Sequence, residues 1–327
     1  MMVCRIVLIM LILAFSLSAC GSLPSAGDAG ALTHIRLPTG YIPNIQYAPF
    51  YVAIEKGYFR DAGIEIEFDY SFETDGVALV GAGELPFAIV SGEQVLLARE
   101  QGLPVKYAMA WYQKFPVSIV AKTQSGIKTP GDLKGRKVGL PGLYGASYVG
   151  LRAFLFAAGI KESNVTLDSI GFNQVEALVS DQEDAIVVYS ANEPIQLRAR
   201  GVAINEFNVA DAVNLASNGI ITNEKTISKN PELVRGFVEA ALKGVKDVIA
   251  NPKEAIELSK AYIPNFKELD PAVVEQVLAA SIEMWKAEKL GHSDPAAWEN
   301  MKNILVEMGL VSKSMDIKAA YTNEFIP

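Results

Sequence analysis

The sequence predicts an α/β fold in two lobes, and three observations carry that expectation. Beyond Ile35, short runs rich in β-branched and aromatic residues alternate with segments of helical spacing, as strands and helices do in largely parallel sheets. The stretch "VALVGAGELPFAIVSGEQVLLAREQGLPV" (Val77 to Val105) is echoed by "EALVSDQEDAIVVYSANEPIQLRARGVAI" (Glu176 to Ile204). Each reads as a helix end, an acidic turn, an "AIV" strand, a polar turn, and a Gln-containing helix with Leu and Arg. Two lobes on one plan would produce this echo, and so would two unrelated βαβ units. Lastly, a chain of 327 residues that is 50% hydrophobic can bury a sizeable core and is long enough for two lobes.

In chain order, "MMVCRIVLIMLILAFSLSACGS" comes first, with one early Arg, an unbroken apolar run from Ile6 to Phe15, and small residues before Cys20. Residues 1–19 therefore read as a signal peptide, since the run falls short of the roughly 20 residues that span a bilayer. "LSAC" resembles the lipobox of bacterial lipoproteins, which implies cleavage before Cys20, lipidation of its thiol, and a mature protein held at the outer face of a membrane. Residues 20–32, rich in Gly, Ala and Ser, read as a tether. The other cysteine, Cys4, leaves with the signal, so no disulfide framework is expected.

Strands are expected at "IEIEFDY", "FAIVSG", "VKYAMAWY", "VSIVAK", "KVGLPG" and "DAIVVYS". Helices are expected at "QYAPFYVAIEKGYF", "TDGVALVGAGE", "EQVLLAREQG", "ASYVGLRAFLFAAG", "NQVEALVSDQ" and "NEPIQLRARG". After about Ile227 helices follow one another, as in "NPELVRGFVEAALKGVKDVIAN" and "DPAVVEQVLAASIEMWKA". These two open on Asn or Asp followed by Pro, an N-cap and first-turn pair.

The chemistry available is narrow. The net charge of −8 and the lack of a basic cluster point away from nucleic acid. His34 and His292, the only two histidines, are far apart in any plausible fold, so neither a zinc set nor a Ser-His-Asp or Cys-His pair can be assembled. Glu73, Asp75 and Glu193 stand near strand ends and could do acid/base work, although most such carboxylates are solvated or cap helices. "GLPGLYGAS" is Gly-rich between strand and helix but lacks the Lys of a phosphate loop and the spacing of a dinucleotide fingerprint. It reads as a tight turn, a ligand contact, or both.

Open α/β sheets bind ligands beyond the carboxyl ends of their strands. Residues expected there are Tyr41, Pro43 and Asn44; Phe72, Glu73 and Asp75; Ser91 and Glu93; Trp111, Tyr112 and Phe115; Tyr144, Gly145 and Ser147; and Tyr189, Asn192 and Glu193. They include rings and carboxylates and no Arg or Lys. An anion recruits a guanidinium, whereas rings with carboxylate and amide acceptors suit a flat, neutral or weakly basic heterocycle. Phe50, Tyr58 and Phe59 read as core, and Tyr41, Trp111 and Tyr189 as ligand contacts.

"GYIPNIQYAPFYVAIEKGYFRDAGIEIEF" resembles the N-terminal signature of the NMT1/Thi5-like substrate-binding proteins of ABC transporters, and the resemblance continues through "DLKGRKVGLPG" and "VVYSANEP". It covers about Thr33 to Asn223. Within the family the chain is most similar to riboflavin-binding lipoproteins, then to binders of a thiamine-pyrimidine precursor. The resemblance implies a type II periplasmic-binding-protein fold with a ligand in the cleft, and ring contacts from Tyr41, Asn44, Tyr189 and Glu193. Lobe I would hold residues 33–110 and 216–327, and lobe II residues 111–215. The chain has Tyr at the first position of its aromatic turn, where the pyrimidine binders have Trp. No Cys-rich pocket like that of the fungal synthase relatives is present.

The expected function is that of the solute-binding component of an ABC importer. It would be a lipid-anchored monomer at the extracytoplasmic face of the cell membrane, delivering riboflavin to a permease and its ATPase. Riboflavin would be cargo, with no catalytic cofactor. The wall of Trp111, Tyr112, Tyr144 and Tyr189 is large for one pyrimidine ring. The alternatives are a thiamine-pyrimidine precursor as cargo, or an enzyme on the same fold, whether a secreted hydrolase or a pyrimidine synthase.

Overall fold

The structure, a computed structural model, describes residues 32–327. The signal peptide, Cys20 and nearly all of the tether lie outside the described residues.

The first lobe opens with β1 (Thr33–Pro38), α1 (Ala48–Glu55), β2 (Ile64–Asp69), α2 (Glu73–Ala82), β3 (Ala88–Val90), α3 (Gly92–Glu100) and β4 (Val105–Ala110). The chain then crosses to the second lobe. There it forms β5 (Val117–Lys122), β6 (Lys137–Leu140), α4 (Gly145–Ala157), β7 (Thr166–Ser169), α5 (Gln174–Val179), β8 (Ala185–Tyr189), α6 (Glu193–Ala199) and β9 (Ile204–Asn208). It returns as β10 (Gly219–Asn223) and ends in helices that include α7 (Pro231–Ala250), α8 (Pro252–Ser259), α9 (Pro271–Trp285) and α10 (Pro295–Glu307).

The sheets are mixed, which corrects the expectation of largely parallel ones. β1 pairs with β2, and β6 with β7 and β8, in parallel; β10 pairs with β3 and β4, and β5 with β8 and β9, antiparallel. The reason is the crossing. Each strand that enters from the other lobe runs against the strands that receive it. Strand order β3-β10-β4 in one lobe matches β8-β5-β9 in the other, so the echo between Val77–Val105 and Glu176–Ile204 corresponds to one plan used twice.

The C-terminal helices brace the first lobe. Their starts follow from local chemistry: Asn230 Oδ1 accepts from the Leu233 N–H, Asp270 Oδ1 from Ala272 and Asp294 Oδ1 from Ala296, each with Pro in the first turn. α7 lies directly on α1, and a Cβ at Gly244 would stand 2.0 Å from the Pro49 carbonyl oxygen, so only glycine permits that approach. Phe50 and Phe59 are fully buried in this lobe, as expected, whereas Tyr58 is half-buried and donates its hydroxyl to Asp247. Among the described residues no helix is long and apolar enough to cross a membrane.

Candidate ligand-binding site

A cavity, open at its mouth, lies between the lobes. The first lobe lines it with Thr39, Gly40 and Tyr41 after β1, Gln46 and Tyr47 before α1, Phe72 and Glu73 at the start of α2, Trp111 and Tyr112 after β4, and Asn218 before β10. From the second lobe come Pro141 after β6, Tyr144 to Ser147 at the start of α4, Phe172 and Gln174 at the start of α5, and Tyr189, Asn192 and Glu193 between β8 and α6. Nearly all follow a strand's carboxyl end or begin a helix, as the topology requires. Among the described residues, no Lys, Arg, His or Cys lines the cavity.

Glu193 anchors the far wall. It is 6% exposed, and its Oε2 accepts the Tyr189 N–H at 3.0 Å. Its Oε1 accepts the Asn192 amide at 3.0 Å and the Tyr41 hydroxyl at 3.5 Å. Burial raises the carboxyl above its ordinary range, and these hydrogen bonds oppose the shift. Tyr41 reaches across from the first lobe, its ring edge-to-face with Phe172 at 4.8 Å between centroids, and Asn192 also donates to its hydroxyl. Burial first, then the charge of Glu193, keeps this phenol neutral.

A second polar chain runs along the near wall. Glu73 Oε1 accepts from the Asn218 amide at 3.3 Å, and Asn218 Oδ1 accepts from the Tyr189 hydroxyl at 3.2 Å. Glu73 Oε2 accepts from Ser91 Oγ at 2.6 Å. Tyr112 accepts from Gln46 Nε2 at 3.0 Å, and Tyr47 donates to the Thr39 carbonyl at 2.7 Å. At the mouth, Phe72 stands 6.1 Å from Tyr144 and 6.5 Å from Phe172, all three well exposed.

Of the residues expected at the site, Tyr41, Phe72, Trp111, Tyr112, Tyr144, Gly145, Ser147, Tyr189, Asn192 and Glu193 line the cavity, as does Glu73. Trp111 does so differently than expected. It belongs to the first lobe's core, with Tyr47 at 5.5 Å, Phe50 at 5.1 Å and Trp285 at 5.9 Å, and is 4% exposed. Three expected contacts fall away. Asn44 spends its side chain accepting from the Gln46 N–H at 3.0 Å, shaping the turn behind the wall. Asp75 is exposed, because two residues along a helix rotate it about 200° from Glu73. Ser91 is fully buried beneath Glu73. Pro43 and Phe115 are likewise off the cavity, Phe115 deep in the core, and Glu93 is buried behind Ser91.

Gln46, Tyr47, Phe172, Gln174 and Asn218 also line the wall without having been expected, as do Thr39, Gly40, Ile89, Pro141 and Ala146. Gln46 and Tyr47 lie inside the aromatic stretch read as helix, and Gln174 inside "GFNQVEA". Asn218 carries no local signal; the return crossing brings it in.

The family model described as NMT1/THI5 like matches residues 44–255. The chain is 43% identical to the riboflavin-binding protein RibY of Chloroflexus aurantiacus, over 93% of this chain and 89% of that one. It is 29% identical to the formylaminopyrimidine-binding protein of Halalkalibacterium halodurans, over 90% of this chain and 91% of that one. Its fold is similar to that of the alkanesulfonate-binding protein SsuA from Xanthomonas axonopodis pv. citri, with a TM-score of 0.71 at 14% identity, covering 90% of this chain and all of that one. The chain thus belongs to the NMT1/THI5-like family and carries its cavity between the two lobes of a periplasmic-binding-protein fold.

Proposed function

We infer that the protein captures riboflavin outside the membrane and delivers it to the permease of an ABC importer. One observation carries the reading. The cavity wall combines rings from both lobes with carboxyl and amide groups and has no cation, which suits a flat, uncharged heterocycle rich in N–H, O–H and carbonyl groups. The 43% identity to a riboflavin-binding protein supports this cargo over the pyrimidine precursor, whose binder is 29% identical. The 43% identity to a binding protein supports a carrier's role over a catalyst's.

Titrating apo-protein with riboflavin and with an aminopyrimidine, while following tyrosine, tryptophan and flavin fluorescence, tests the reading. Riboflavin should bind with strong quenching of its emission. Aminopyrimidine binding without a riboflavin signal would transfer the function to thiamine-precursor capture.

Anchoring through a lipid on Cys20 belongs to the same proposal. Cys20→Ala should abolish palmitate labelling and release the protein from the membrane fraction; label retained on the variant would exclude it.

A further inference from the structure

We propose that Glu73, sharing a negative charge with Glu93 through Ser91, sets the charge class of the ligand, so that the cavity admits a neutral molecule and turns away its phosphorylated form. The proposal builds on the cavity being the ligand site. Ser91 Oγ lies 2.6 Å from Glu73 Oε2 and also bonds Glu93 Oε1. Ser91 and Glu93 are both 0% exposed. A hydroxyl carries one hydrogen and cannot donate to two carboxylates, so one carboxyl supplies the proton that closes the chain. The two carboxyls then hold one proton and one negative charge between them.

Among the described residues no Lys, Arg or His lines the cavity beside that charge, and the Asn218 and Gln94 amides that donate to the pair are neutral. Glu93 Oε2 is buried without a hydrogen-bond partner. The titratable groups facing the pair are the phenols of Tyr47 before α1, Tyr107 on β4 and Tyr189 at the end of β8, all held neutral by burial. Across the cavity stands another carboxyl, Glu193. Burial lifts both Glu73 and Glu93 above the usual carboxylate range, and the charge of Glu93 lifts Glu73 further.

The position of Glu73 makes this charge count. Its side chain is wedged between the lobes: a Cβ at Gly40 would stand 2.5 Å from its Cγ, and one at Gly145 would stand 3.8 Å from its Oε2. Both glycines have positive φ, 80° and 69°. Gly145 opens α4, whose first turn lines the cavity and would otherwise offer N–H groups to an anion. A carboxyl of the protein already stands at that point.

The test compares dissociation constants for riboflavin and riboflavin 5′-phosphate at about pH 7.5 and about pH 9, above the second phosphate pKa of about 6. The wild type should favour riboflavin, and more so at the higher pH as the pair gives up its proton. Glu73→Gln should cut the preference at least about tenfold and flatten its pH dependence. Glu93→Gln should raise the preference at the lower pH, because Glu73 then carries the whole charge. Opposite signs in the two variants separate a charge filter from general damage to the wall, and the same preference in all three proteins would overturn it. If riboflavin does not bind the wild type, the functional reading falls and inorganic phosphate decides the proposal. At matched ionic strength against chloride, phosphate should raise the melting temperature of Glu73→Gln and not of the wild type; equal responses would overturn it.

Discussion

The turn after β3 and the turn after β8 hold equivalent places in the two lobes, yet they treat a carboxyl in opposite ways. After β3, "SGE" buries Glu93 behind Ser91 and leaves one of its oxygens without a partner. After β8, "SANE" turns Glu193 into the cavity and fills its oxygens with the Tyr189 N–H, the Asn192 amide and the Tyr41 hydroxyl. The walls differ in the same sense. The first lobe backs its wall with core, Trp111 against Phe50 and Trp285, whereas the second presents short polar groups at helix starts. One topology thus yields a supporting wall and a reading wall, and the difference lies in a few residues per turn.

Trp111→Ala should break the supporting wall with the largest effect, a loss of about 3–5 kcal/mol in denaturant unfolding, as for other buried aromatic truncations. A variant that kept its stability and lost only affinity would make Trp111 a reading residue and erase the contrast. Glu193→Ala should weaken ligand binding by about 1.5–3 kcal/mol, and it should also lower the melting temperature, because the Tyr189 N–H loses its acceptor. Calorimetry and melting on one sample give both numbers; a change in melting alone would mark Glu193 as purely structural.

The buried pair gives a third, pH-dependent effect. Glu73 and Glu93 hold protons that the unfolded chain releases, so apo-protein should be more stable at about pH 5.5 and lose stability as pH rises toward the raised values. The decline should reach about 1.4 kcal/mol per pH unit for each proton the folded pair retains. Glu93→Gln should flatten it, and an unchanged slope would mean that the pair does not titrate there. Tyr189→Phe removes only the hydroxyl given to Asn218 and should cost about 1 kcal/mol in affinity. Asp75→Asn, on the exposed face of α2, should stay within about 0.5 kcal/mol in both affinity and stability. A larger loss would return Asp75 to the site.

Much of this division was legible in the residues. Strands such as "VSIVAK" and "DAIVVYS" carry β-branched runs bounded by polar residues, and Tyr41, Tyr189 and Glu193 stand where strand ends meet helix starts. What stayed hidden depends on distant partners. β10, "GIITN", is short and indistinct, and its place between β3 and β4 comes from the return crossing, which also brings Asn218 to the wall. Asn44 and Asp75 were misplaced because sequence position near a turn does not say whether a side chain caps its own backbone or faces outward.

The crossings also order events as the chain is made. The β8-β5-β9 set is complete once Asn208 has emerged, since all its strands lie between Val117 and Asn208. The first lobe, although it starts the chain, must wait for residues 219–223 to fill the slot between β3 and β4. Until then two strand edges stand open for pairing with other chains. A nascent chain halted before Gly219 would thus have its second sheet finished and its first unpaired down the middle. That aggregation-prone species is resolved by the rest of the chain, which supplies both the missing strand and the helices that cover it.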